Sequence, residues 1–218
     1  MDRNVCRQTR HPLDISWPKR PIKTLGIYFY NSSLHHECEL LNWEKKIERL
    51  KNTMQVWRCR NLTLYGKFTI IKSLALSQII HNMAMIVTPP WVVTSIKREI
   101  FKFLWKGKKD KIKRDVISQP TEMGGLNMLN LDYQKNALLS RWIYRLIVDD
   151  KSRWKALPLL YVNSFGPNNL ILQMNFEKEG DGPNFNHIPK FYKEVILSYH
   201  KIEKSDDVRP QYSKEQII

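Results

Sequence analysis

Among the residue types that do chemistry, the candidates for bond-making are few and badly spaced. His35, His36, Glu37 and Cys38 are all metal-ligand types standing in a row. Adjacent side chains rarely close on one ion tetrahedrally, and no second pair is spaced to complete such a site, so no metal site is expected. Asp149 and Asp150 end an amphipathic pattern with no apolar strand before them. They read as a solvated helix terminus rather than a metal-binding carboxylate pair. There is no phosphate loop and no Gly-rich dinucleotide turn, and no Ser, His and Asp arrangement stands out. No cofactor is expected. The chain has binding chemistry without evident bond-making chemistry.

That binding chemistry is cationic. Asn42 to Arg114 holds 17 Lys and Arg against four acids, Glu44, Glu48, Glu99 and Asp110, a net +13 in 73 residues of a chain whose total is +15. The charge is woven through amphipathic helices that also carry Trp43, Trp57, Trp91 and Trp105. Solvating a helix face is the ordinary use of such residues. At this density, a basic surface on aromatic-bearing helices is the footprint of a module that binds the nucleic-acid backbone.

Length and composition bound the rest. The 218 residues, 42% hydrophobic and 11% aromatic, make one sizeable globular domain or one and a fraction. No run of about 18 apolar residues occurs, so no membrane span is expected. Met1 to Arg10 is polar and unlike a secretory signal. Cys6, Cys38 and Cys59 are odd in number and widely spaced, which fits a reducing compartment, nuclear or cytoplasmic, rather than a disulfide framework.

The elements that must position the cations follow from periodicity. Residues 1–22 read as an irregular segment with Pro12, Pro18 and Pro21. Lys23 to Tyr30 reads as one strand with no obvious partner, the start of a strand and linker over 23–41. Trp43, Ile47, Leu50, Met54 and Trp57 form a helical stripe, with Asn42 as the expected N-cap. Thr63 is placed to cap the next helix. Ile70 to Met83 cover more than one face, as in a buried helix. A third helix is expected over Val92 to Trp105, with Val93, Ile96, Ile100, Phe103 and Leu104 inside and Arg98, Lys102 and an exposed Trp105 outside. Residues 42–105 thus form a helical bundle. Residues 106–150 form a basic connector and helix, with a short strand expected at Ile112 to Ile117, a tight turn at Gly124-Gly125 and a helix from Leu131. Residues 151–218, where the charge excess falls away, read as a looser extension with short helices near Trp154 to Tyr161 and Ile188 to Tyr199. The expected fold is mainly α: a helical bundle with a short N-terminal β element and a small turn or hairpin connector.

Four blocks stand in order: Lys23-Thr24-Leu25-Gly26-Ile27; Trp57 through Lys67 (WRCRNLTLYGK); Pro89 onward to Phe103-Leu104-Trp105; and Gly124-Gly125-Leu126. Together, over about residues 15 to 148, they make the chain resemble the C-terminal part of non-LTR (LINE-type) retrotransposon reverse transcriptases. The resemblance implies that the leucine-glycine strand closes the palm and that the following helices form the thumb, which grips the template–primer duplex. It places the Gly-Gly-Leu block in the connector beyond the thumb. The palm's Tyr-x-Asp-Asp turn and upstream Asp, which hold two catalytic metals in that family, do not occur before Lys23. Nor do the family's endonuclease or a C-terminal zinc knuckle. The chain is therefore expected not to be an enzyme on its own. It is expected to bind the backbone of RNA or RNA–DNA duplex without reading sequence, possible partners including a palm-containing chain in trans. The rival is a decayed or repurposed fragment acting only through protein contacts. The candidate backbone contacts in the thumb are Lys45, Arg49, Arg58, Arg60, Gly66, Lys67 and Lys72, joined by Arg98 and Lys102. Gly66 is included because a small residue lets the helix approach the strand. The connector candidates are Lys106, Lys108, Lys109, Lys111, Lys113 and Arg114.

Overall fold

The computed structural model describes residues 20–29, 35–148, 152–166, 172 and 185–202. Asp149 and Asp150, most of the N-terminal irregular segment and the Gly180 to Pro183 stretch lie outside the described residues. The chain divides into two units, Met1–Lys45 and Lys46–Ile218.

In the first unit, β1 (Ile22–Thr24) and β2 (Ile27–Phe29) pair antiparallel, with Ile22 opposite Phe29 and Thr24 opposite Ile27. The stretch expected to be one partnerless strand therefore folds back on itself. Leu25 and Gly26 both take positive φ, 49° and 82°. Two left-handed residues in succession make the two-residue turn whose twist matches the flanking strands. Glycine meets that demand freely and Leu25 meets it under strain.

Helix α1 (His35–Arg58) starts seven residues before the expected cap. Asn42 is buried inside it and serves the hairpin instead: its Oδ1 accepts from the Tyr28 amide at 2.8 Å and its Nδ2 donates to the Tyr28 carbonyl at 2.9 Å. Cys38 Sγ donates to the same carbonyl at 2.8 Å. The middle residue of β2 thus finds, among the described residues, its hydrogen bonds in side chains of a helix.

The second unit is helical. Ile47, Leu50 and Met54 of α1 are buried as their spacing requires. Thr63 caps α2 (Leu64–Ile70), its Oγ1 accepting from Gly66 N at 3.2 Å. A π-helical turn at Ile71–Ala75, where Leu76 N reaches back to Ile71 O at 2.8 Å, leads into α3 (Ser77–Met85). Pro90 begins α4 (Pro90–Leu104), since its fixed φ suits the first turn and the helix asks no N–H of it. All five inner-stripe residues of α4 are buried.

Two tryptophans exchange the places expected of them. Trp105 is buried, 9% exposed, and its indole N–H has no hydrogen-bond partner among the described residues. Trp57 is only half-buried, under the Arg60 guanidinium at 4.6 Å. The helical stripe of α1 weakens at its last turn, whereas α4 ends by turning Trp105 inward.

Beyond α4, the strand expected at Ile112 to Ile117 is absent; the segment is a short helix, α5 (Arg114–Ser118). Its ends are held locally: Arg114 Nε donates to Asp110 at 2.8 Å, and the amides of Leu126 and Met128 return to the Ile117 carbonyl at 3.2 and 3.0 Å. The Gly-Gly turn is needed. Gly124 has φ +76°, and a Cβ on Gly125 would fall 2.0 Å from Gln119 O. After it come α6 (Leu131–Ile147), capped by Asn130, α7 (Ala156–Asn163) and α8 (Lys190–Lys201). Leu139, Ile143 and Leu146 of α6 pack with Val162 of α7 and Val195 and Ile196 of α8 in one apolar cluster ringed by aromatic side chains. Two polar links fasten α6 to the preceding helices: Trp142 Nε1 donates to Ala84 O at 2.7 Å, and Lys97 pairs with Asp132.

Candidate nucleic-acid interface

The cations gather where α4 ends. Its last carbonyls have no helical partner and lie at the negative end of the helix dipole. Two helices distant in sequence answer them. Arg58, the last residue of α1, donates from Nη2 to Lys106 O at 2.8 Å. Lys67 of α2 donates from Nζ to Leu104 O at 2.5 Å. Thr63 makes this reach possible by fixing the start of α2. The chain then turns at Lys106 and Gly107, both with positive φ, 54° and 81°. Gly107 N closes the helix end on Lys102 O at 2.8 Å. A Cβ at 107 would only touch Arg58 Nη2 at 3.4 Å, so it is the positive φ that calls for glycine here.

Arg58, Lys67, Lys106 and Lys111 are thereby drawn to one corner. Burial holds the Lys67 ammonium below the ordinary lysine range, and Lys106 and Lys111 press it down further. Carbonyl oxygens satisfy donors without cancelling charge. Arg58 has four further N–H donors and Lys67 two, so this corner keeps a positive potential suited to phosphate oxygens.

The other candidates are placed separately. Lys108, Lys109 and Lys113 are exposed in the connector beside the corner. Arg114 is exposed but committed, bonded to Asp110 and lying over the Phe101 ring at 4.1 Å. Arg60 stacks on Trp57. Lys102 and Arg98 are exposed on α4, Lys72 on the π turn, and Arg49 on α1. Lys45 is exposed in the first unit. Gly66 is half-buried, and a Cβ there would make only ordinary contacts with Thr63 Oγ1 at 3.4 Å and the Leu62 side chain, so the fold does not itself require its smallness. Sequence reasoning passed over Lys46, which donates to Gln78 O at 3.4 Å, and Lys97, which is paired with Asp132. Both are basic residues spent inside the fold. Only the paired partners, 32 and 35 residues away, reveal it.

The remaining ligand types do not converge. Cys38 is buried, its thiol pushed up by burial and donating to a carbonyl, the opposite of a thiolate ligand. Among the described residues, no group of three or more His, Cys, Asp or Glu is arranged to hold a metal ion, and no helix is long and apolar enough to cross a membrane.

No protein-family model matches the chain. It is similar to an uncharacterized 149 kDa protein of transposon TX1 from Xenopus laevis, 24% identical over 195 residues, 87% of this chain and 14% of the relative. It is also similar to a protein of Arabidopsis thaliana provisionally named a ribonuclease H protein, 27% identical over 113 residues, 50% of this chain and 18% of the relative. The chain spans less than a fifth of the length of these curated relatives. These similarities support a retrotransposon-related chain.

Proposed function

We propose that the chain is a thumb-and-connector piece of a LINE-type RNA-directed DNA polymerase, and that it binds the phosphate backbone of RNA–DNA or RNA duplex without reading base sequence. The observation that carries this reading is the corner at the end of α4. Arg58 of α1 and Lys67 of α2 meet there beside Lys106 and Lys111 of the connector, and the first two are bonded to carbonyls, which do not cancel their charge. Arg and Lys so placed contact phosphates and give a protein its position on a duplex; sequence is read only through base edges. The similarity to a transposon protein over 87% of the chain supports the retrotransposon origin that this reading assumes.

On this reading nucleotidyl transfer belongs to a palm in another segment or chain, with the present chain holding the product of that chemistry inside the cell. The test is competition. Unlabelled RNA–DNA hybrids of unrelated sequence should displace a labelled hybrid from the chain equally well. The Lys108/Lys109/Lys111→Ala variant should bind all of them more weakly by a common factor. A hybrid that competes far better than the rest, or a triple variant that binds as the parent does, overturns the proposal.

A further inference from the structure

The outer face of α6 carries a second pattern that the basic corner does not explain. Its buried line is Leu131, Leu139, Ile143 and Leu146. On the opposite side stand Tyr133 and Tyr144, 72% and 71% exposed. At about 100° per residue they lie within about 20° of one line. Separated by 11 positions, the rings are about 16 Å apart along the axis, at about 1.5 Å per residue. Between them are the exposed small residue Ala137 and the exposed Arg141, and Arg145 follows with its guanidinium over the Trp142 ring at 5.6 Å. Among the described residues, neither tyrosine ring is engaged in a ring contact or side-chain hydrogen bond. The helix's one acid, Asp132, is already paired with Lys97.

We infer that this face is a stacking track for single-stranded nucleic acid. Exposed aromatic faces in line, with arginines beside them and no unpaired carboxylate on the helix itself, match a polyanion whose bases are unpaired: the rings take the bases and the guanidiniums take the phosphates. The interval of about 16 Å holds about four bases at a spacing of about 3.4 Å. A duplex cannot use the track, because its base faces are closed within the stack. A protein partner would find little apolar area on it, only Ala137 and Val148 beside the tyrosine rings. The inference stands on α6 alone and goes beyond backbone binding at the end of α4. The links Trp142 to Ala84 and Lys97 to Asp132 hold α6 against α3 and α4, so the track is rigidly mounted.

The test uses the full chain and a fluorescein-labelled oligouridylate of about twelve nucleotides, followed by anisotropy. Tyr133→Ala/Tyr144→Ala should lower its affinity at least tenfold, since stacking on an aromatic ring is lost at two bases. Tyr133→Phe/Tyr144→Phe, which keeps both rings, should stay within about twofold of the parent. Duplex affinity should be unchanged in both variants. An alanine pair that binds like the parent, or a phenylalanine pair as weak as the alanine pair, overturns the inference. Photocrosslinking of the unaltered chain to the same oligomer carrying 4-thiouridine is independent of any folding defect. Adducts at Tyr133 or Tyr144 are expected, and adducts confined to other elements overturn it. A parent that binds duplex but not the oligomer removes this inference and leaves the duplex reading intact; the reverse result removes the duplex reading and leaves this one.

Discussion

Lys67 occupies a place where its own charge is unwelcome. Burial first, then Lys106 and Lys111, hold its pKa below the ordinary 10.5. A lysine with a lower pKa folded than unfolded binds fewer protons in the folded state between those two values. Stability therefore rises with pH through that window, and below it the full cost of the charge is present. The denaturant midpoint of the parent should climb, relative to Lys67→Gln, as pH approaches 10.5; parallel pH curves would show that the cluster exerts no such strain. Trp105 offers a second test. Trp105→Ala removes a buried ring and should cost about 3–5 kcal/mol, while Trp57→Ala, at a half-buried position, should cost less than half of that. Trp105→Phe keeps most of the packing and deletes an unpartnered N–H, so a change under about 1 kcal/mol is expected by chemical denaturation. If Trp57 proved the costlier site, the burial described for the two rings would be wrong.

At the scale of elements, the joint between hairpin and helix rests on Asn42 and Cys38, and of the two Asn42 alone serves the Tyr28 amide. Asn42→Ala leaves the N–H of Tyr28 without its partner, while the C=O keeps the Cys38 thiol. That orphaned N–H costs about 1–3 kcal/mol if it stays buried. Hydrogen exchange at the Tyr28 amide should speed up by at least tenfold in that variant; unchanged protection would mean the hairpin is held otherwise. Gly125→Ala should disrupt the turn after α5, because its Cβ has nowhere to go but into Gln119 O. The sequence made the long elements plain. The inner stripe of α4, the Thr63 cap and the start of α6 at Leu131 follow from apolar periodicity and capping residues, which are local signals. The hairpin was hidden because Leu25 tolerates a left-handed turn that its type disfavours. Asn42 was misplaced because a capping residue and a residue that clamps a neighbouring strand look the same in sequence. The corner itself was legible only as a list of cations. Which of them meet is set by α1 and α2 converging on the end of α4, across separations of 48 and 37 residues.

For the molecule as a whole, the division of labour is the claim. The chain should not extend a primed RNA template with Mg²⁺ or Mn²⁺, because the carboxylates that would hold two metals are not among its motifs; template-dependent incorporation by the purified chain would refute that. The work proposed for it is electrostatic, and salt reads that most directly. The measurement is the affinity for one RNA–DNA hybrid, titrated from low to moderate salt in the parent and in Lys108/Lys109/Lys111→Ala. Each phosphate neutralised releases condensed counterions, so log affinity should fall linearly and steeply with log salt. The triple variant should lose about one unit of slope for each contact removed, about three in all. An affinity that stays flat across the salt range, or a triple variant whose slope equals the parent's, would show that the basic helices are a solvated surface and contradict the account.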